Sequence, residues 1–197
     1  MNLVERAKNI ITTPKTEWAV VASEEPKIQQ IMISYILPLA LIPAIASIIG
    51  WGVLGTAFIK SFTWGIAMGL VQFISAFVTV YLAALVINLL APSFSSEKNM
   101  GRAIQLVAYS YTPFWVGGIL NILPFLSWLG MLFGLYGLYL MYVGLPFTMK
   151  TPQDKNVIYL IVSIIVLIIA YWLIALILTS ILLTIFGLSF MSMAGMG

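Results

Sequence analysis

The chain has 197 residues, of which 62% are hydrophobic and only 8% charged. Soluble domains carry about 25% charged residues, and nine Lys and Arg with six Asp and Glu cannot cover a water-soluble surface of this size. The composition predicts an integral membrane protein and excludes disorder, a disulfide scaffold and nucleic-acid binding through a basic domain.

Residues 1–27 form the one substantial polar stretch. Leu3, Val4, Ala7, Ile10 and Ile11 recur at helical spacing, with Glu5, Arg6, Lys8 and Asn9 between them. That is the pattern of a short amphipathic helix. No short apolar run precedes the long one that starts near Ile28, so the stretch does not read as a signal peptide. Thr13-Pro14 reads as the cap and first position of a second helix. Trp18, Val21 and Ala22 fall on one side of it, with Lys15, Glu17 and Glu24 elsewhere. A segment of this kind is expected to rest on the lipid headgroups at the cytoplasmic face. A partner-binding helix is the sharper alternative.

A helix needs about 20 apolar residues to cross the hydrocarbon core. The first such span is Ile28–Ile49, kinked or opened by Pro38 and Pro43. Trp51–Ile59 follows as an interfacial segment ending at Lys60. The second span runs from Thr63 to Leu90 and is long enough to tilt. A polar loop, Ala91–Arg102, leads to the third span, Ala103–Asn121. A short uncharged turn through Pro124 joins it to the fourth, Phe125–Met149, and this hairpin is the one place where a re-entrant path competes with full crossing. After the loop Lys150–Asn156 the fifth span covers Val157–Phe186. Gly187–Gly197 is a small, Met-rich tail left without assigned structure. The expected fold is all-α: a bundle of five transmembrane helices over 28–186, with an amphipathic N-terminal segment over 1–27 and a short C-terminal tail over 187–197.

Five crossings sort the basic residues. Arg6, Lys8, Lys15, Lys27, Lys98, Arg102, Lys150 and Lys155 share one face, and Lys60 stands alone on the other. The positive-inside rule then places the N-terminus in the cytoplasm and the C-terminus outside a cell membrane.

The inventory for chemistry is poor. With no His and no Cys, the commonest general base, thiolate nucleophiles and most transition-metal ligands are missing. Every charged residue falls in a terminus, a loop or a span boundary, whereas pumps and voltage sensors bury such groups. Glu5, Glu17, Glu24, Glu25, Glu97 and Asp154 can share the cytoplasmic face, but the interleaved Lys residues favour a solvated surface over a cation site. No catalytic residues, metal site or cofactor are expected.

Polar residues inside the spans fall on helical faces. Gln72, Ser75 and Thr79 share one face of the second span; Gln105, Tyr109 and Thr112 share one on the third. An amide facing lipid leaves hydrogen bonds unmade, so both faces should point inward. Pro113 frees the carbonyl of Tyr109, and Gln72 and Ser34 are the expected partners for it. Ser34, Gln72, Ser75, Gln105, Tyr109, Ser110 and Pro113 together make the candidate polar interior or lipid-binding face. The plainer reading is interhelical glue, worth on average about 0.6 kcal/mol per contact. Gly65-x-x-x-Gly69 and Gly130-x-x-x-Gly134 allow close helix packing, within one chain or in a homo-oligomer. Tyr136, Tyr139 and Tyr142 form part of an interfacial belt.

The order of several features resembles a known family. Pro14-x-x-x-Trp18 precedes an acidic stretch and a Pro-containing first span. Ala103-Ile-Gln-Leu-Val-Ala-Tyr109-Ser110-Tyr-Thr-Pro113 opens the third. Tyr136-x-x-Tyr139-Leu140 and then Gly144-Leu145-Pro146 close the fourth. Together they resemble the Yip family, the Ypt/Rab-GTPase-interacting membrane proteins, over most of the chain. The resemblance implies a five-span helical fold with a cytosolic N-terminus, and eukaryotic members bind prenylated Rab GTPases and act in vesicle formation and membrane shaping. An Asp-Leu-Tyr-Gly-Pro signature and a long cytosolic N-terminal region are absent, so the chain looks like a short prokaryotic relative.

The function expected is a non-enzymatic protein that organises the membrane or partner proteins through its transmembrane bundle and cytoplasmic face. Its partners are membrane lipids and a cytoplasmic or membrane protein, with no nucleic acid. The alternative is a passive channel or a lipid or small-solute pathway through a polar inner cleft.

Overall fold

The structure, a computed structural model, describes residues 2–55 and 60–194, with side chains through Ile174 and at Leu176. Among the described residues every regular element is helical. Helix α1 covers Leu3–Thr12, opened by Asn2, whose side chain accepts from the Val4 N–H at 3.1 Å. Helix α2 covers Pro14–Ser23 and begins on its proline, where a missing N–H costs nothing.

The first long helical stretch, Ile28–Leu54, is built in four pieces: α3 (Ile28–Ile31), a π turn (Met32–Ile36), α4 (Leu37–Ile49) and a second π turn (Gly50–Leu54). Pro38 cannot donate to the Ser34 carbonyl, and the wide turn lies across that gap. Helix α5 covers Phe62–Leu90 and continues as a 3₁₀ turn, Ala91–Phe94. Helix α6 (Met100–Ser110), α7 (Thr112–Gly117) and two 3₁₀ turns (Gly118–Ile122 and Pro124–Leu129) precede α8 (Gly130–Thr148). Helix α9 runs over Gln153–Ala194. It therefore continues through most of the segment left unassigned as a tail, and no proline after Pro152 stands in its way. Residues 195–197 of that tail, and 56–59 of the expected interfacial segment, lie outside the described residues.

Among the described residues four stretches are long and apolar enough to cross a membrane: Ile28–Leu54, Phe62–Phe94, Pro124–Thr148 and Gln153–Ile174. The chain is thus a multi-pass membrane protein. The expected third span, Ala103–Asn121, is not one helix, because α6 ends at Ser110 just ahead of Pro113. It nonetheless lies alongside the whole of the first stretch. Gly101 abuts Pro26 at one end, and Gly50 abuts the backbone of Asn121 and Ile122 at the other.

The carbonyls released by Pro113 and Pro146 both find side-chain donors. The Tyr109 carbonyl, released by Pro113, accepts from the Thr112 hydroxyl at 2.7 Å, and the Tyr35 hydroxyl lies 2.6 Å from that same Thr112 oxygen. Neither Gln72 nor Ser34, the expected partners, has that role, because Thr112 is a residue of the same turn and already in reach. The Tyr142 carbonyl, released by Pro146, accepts from Asn156 Nδ2 at 2.9 Å, which ties α8 to the start of α9.

Of the two glycine pairs, one is a contact. A Cβ on Gly65 would lie 2.8 Å from the Ile48 carbonyl, and one on Gly69 2.8 Å from the Ala44 carbonyl. There α5 rests on the backbone of α4. Around Gly134 the space is open, with nothing within 4 Å of an added Cβ. Among the described residues no helix packs at that position.

The N-terminal helices depart furthest from expectation. They fold back on each other and pack into the bundle against α6, α7 and α8, where Ile10, Trp18 and Val21 are wholly buried. The Tyr136 hydroxyl donates to the Ile11 carbonyl at 2.6 Å, near the tip of the hairpin. At its open end Arg102 donates to the Val21 carbonyl at 3.0 Å. Ala7, Ile10, Trp18 and Val21 are therefore covered by protein, while Val4 of the same stripe stays exposed. The two loops that precede α6 and α9 meet at this same end. The Glu97 N–H donates to the Met149 carbonyl at 2.7 Å, Ser96 donates to Thr151 at 2.9 Å, and Lys155 donates to Ser95 at 2.7 Å.

Candidate functional site: a buried charge cluster and a polar cavity

Two polar regions stand out in a bundle of mostly apolar contacts. The first lies between the hairpin and the body of the protein. Arg6, on the buried side of α1, is fully enclosed. Its Nη1 donates to Glu17 Oε1 at 2.6 Å, its Nη2 donates to Glu24, and its guanidinium carbon lies 5.4 Å from the Tyr109 ring centre. The charge is thus held by two carboxylates and an aromatic face, the three partners that best offset burial of a cation. Tyr109 in turn meets Tyr35 edge-to-face at 4.7 Å and Trp18 at 6.2 Å. Arg102 adds a second bond beside the cluster, donating to Gln105 Oε1 at 3.1 Å. A hollow of about 410 Å³ opens here, lined by Arg6, Glu24, Lys27, Ser34, Gln105 and Tyr109 among others.

The solvated surface expected for the carboxylates does not hold for Glu17, which is buried together with Arg6. Glu17, Trp18 and Val21 fall on one face of α2, and Glu24, the residue that caps its C-terminus, continues that side, so both carboxylates reach the Arg6 guanidinium. The carboxylates of Glu17 and Glu24 are engaged by one guanidinium, an arrangement that fastens α1 to α2 and sets both on the ring of Tyr109.

The second region is a cavity, also about 410 Å³, enclosed by α5, α7, α8 and α9. Gln72, Ser75 and Thr79 approach it from α5, Ser110 and Tyr111 from the α6–α7 joint, and Ser163 and Tyr171 from α9. The remaining wall is apolar and includes Pro43, Leu138, Met141 and Leu167. Ser110 and Ser163 are 0% and 2% exposed, and neither hydroxyl has a hydrogen-bond partner among the described residues.

The seven residues named from sequence do not form one face. Ser34, Gln105 and Tyr109 line the hollow beside Arg6. Gln72, Ser75 and Ser110 line the central cavity. Pro113 borders a third, almost wholly apolar hollow with Ile11, Phe133 and Tyr136. Tyr109 and Ser110 are neighbours in sequence, but successive helical residues point about 100° apart, so the two serve different regions. Arg6, Glu17, Glu24 and Ser163 are not among those seven. The signal for the carboxylates was the spacing Glu17, Trp18, Val21, Glu24. Ser163, a lone hydroxyl in an apolar run, carried none.

Comparison with known proteins gives one match: a family model described as Yip1 domain aligns with residues 8–177. No curated protein and no solved structure matches the chain.

Proposed function

The chain belongs to the Yip1 domain family, and on that premise we propose that it is a non-enzymatic membrane-organising protein that shapes the leaflet into which its N-terminal hairpin is built. The observation that carries this reading is the burial of that hairpin against α6 and α8. Two ten-residue helices are added to one half of the bundle. Among the described residues the opposite end gains, besides the continuation of α9 as a single helix to Ala194, only the short stretches Gly50–Leu54, Gly118–Ile122 and Pro124–Leu129. A bundle broader at one end displaces more lipid from one leaflet than from the other, and unequal area between leaflets favours curvature. The same end gathers the stitched polar loops, and a cytoplasmic protein partner would meet the protein there.

In this reading the broken segment α6–α7 with its 3₁₀ turn is a full crossing. Five crossings put the N-terminus and the basic loops in the cytoplasm and the C-terminus outside a cell membrane, as the distribution of basic residues requires. A reporter fused after Gly197 should therefore be active only outside, and one inserted in the Ala91–Asn99 loop only inside. A cytoplasmic reporter after Gly197 would remove the fifth crossing.

Membrane shaping itself is tested by reconstitution. The purified protein in phospholipid vesicles should yield smaller or tubulated vesicles by cryo-electron microscopy as protein density rises. A variant with the hairpin released should leave vesicle size unchanged. Equal vesicle distributions for both would contradict the proposal.

A further inference from the structure

We propose that the cavity between α5, α7, α8 and α9 binds an uncharged lipid whose polar part is one small hydroxyl or carbonyl group. Four observations lead there.

Ser110 and Ser163 are buried without a hydrogen-bond partner and face the same space. A buried unpaired hydroxyl costs stability, and in a helix such a group normally bonds to a carbonyl one turn back. Two of them lining one cavity leave a place for a group that accepts one hydrogen bond and offers or accepts another.

The cavity has a volume of about 410 Å³, within the range of roughly 300–1,000 Å³ usual for small-molecule sites. Its wall is mostly apolar, and no charged side chain lines it. An amphiphile with a small head fits such a wall; an ion does not.

The depth narrows the ligand further. Ser110 lies about 10 Å along α6 from Ala103, and Ser163 about 9 Å along α9 from Val157, the residues where the two apolar runs begin. That is about a third of a hydrocarbon core roughly 30 Å thick. A phosphate or ammonium headgroup is costly to bring that far into the hydrocarbon, whereas a hydroxyl or ester carbonyl is far cheaper.

The way in is from lipid. Ser75, Phe114 and Tyr171 line the cavity and also reach the outer surface, and α5 and α9 around them expose Val71, Ile74 and Ile168.

Open space at Gly134 supplies the test, because Gly134 lines this cavity and an added Cβ there meets nothing within 4 Å. Gly134→Leu should fill the cavity without disturbing the fold. A double variant, Ser110→Ala with Ser163→Ala, should remove the polar anchor while sparing stability, since an unsatisfied hydroxyl is lost. The protein in nanodiscs is exposed to photoreactive diacylglycerol, which carries a hydroxyl and ester carbonyls, to a photoreactive isoprenoid alcohol, which carries only a hydroxyl, and to phosphatidylcholine with the same tag. Labelled peptides are mapped by mass spectrometry, and thermal unfolding of each variant confirms the fold.

Expected is labelling of α5, α8 and α9 peptides by one or both neutral lipids, falling about tenfold in either variant, as loss of about two hydrogen bonds implies for the serine pair. The pattern across the two neutral probes tells a carbonyl-dependent ligand from a hydroxyl-dependent one. Labelling by phosphatidylcholine equal to that by both neutral lipids would overturn the proposal, as would neutral-lipid labelling that Gly134→Leu leaves unchanged or the absence of such labelling in the parent protein.

Discussion

Replacing Arg6 with Met should destabilise the protein by about 3–5 kcal/mol, the cost of removing one partner from a buried ion pair. The change leaves Glu17, whose side chain is only 7% exposed, buried without its cation. Glu24 suffers less, because its side chain is 39% exposed and can turn toward solvent. Much of the loss is thus the burden of a stranded carboxylate and not the worth of the pair. Adding Glu17→Leu and Glu24→Gln to the Arg6→Met chain should recover most of the stability, since apolar replacement of a buried ionic cluster is often neutral or better. Thermal unfolding in detergent, followed by circular dichroism, measures both. A single variant within error of the parent would show that Arg6 is solvated and that the hairpin does not close over it.

Gly144→Val should drive the hairpin off the bundle. A Cβ at Gly144 would lie 2.6 Å and 2.7 Å from ring carbons of Trp18 and 2.7 Å from a methyl carbon of Leu106. Trp18 is wholly buried and has no free direction in which to move. Overpacking a core position costs about 1–3 kcal/mol, and here the cost is avoided by letting α2 separate from α8. The chain has no Cys, so a single Cys reports without background. Ile10→Cys, at a fully buried position, should be unreactive toward a membrane-permeant maleimide in the parent and reactive in the Gly144→Val chain. Trp18→Ala makes room for the valine methyls, so its addition should restore part of the protection. Unaltered protection in Gly144→Val would mean that α2 does not rest on α8.

The crossings were largely legible because an apolar run of more than 20 residues has few alternatives in water or lipid. The third was legible as a segment but not as a shape. Pro113 announces a break, yet only the structure shows α6 ending at Ser110 and the path continuing beside Ile28–Gly50. The helices α1 and α2 were legible from periodicity and the Thr13-Pro14 step. Their place in the bundle was not, because an amphipathic stripe looks the same whether headgroups or other helices cover it. The charge cluster failed for a related reason: whether Arg6 meets Glu17 and Glu24 depends on how α1 folds back on α2, which no local pattern specifies. For the polar interior, helical spacing grouped Gln72 with Ser75 and Gln105 with Tyr109. It could not show that these pairs face separate hollows, since that depends on the rotation of each helix against its neighbours.

The central claim is that the N-terminal hairpin is part of the bundle, and photocrosslinking from its centre tests it most directly. Benzoylphenylalanine in place of Trp18 keeps an aromatic ring at the buried position. Irradiation in native membranes should join it to α6 and α8, at peptides containing Leu106, Tyr109 and Gly144, the residues that surround Trp18. Crosslinks to lipid alone, with none to α6 or α8, would place the hairpin on the membrane surface and contradict the account.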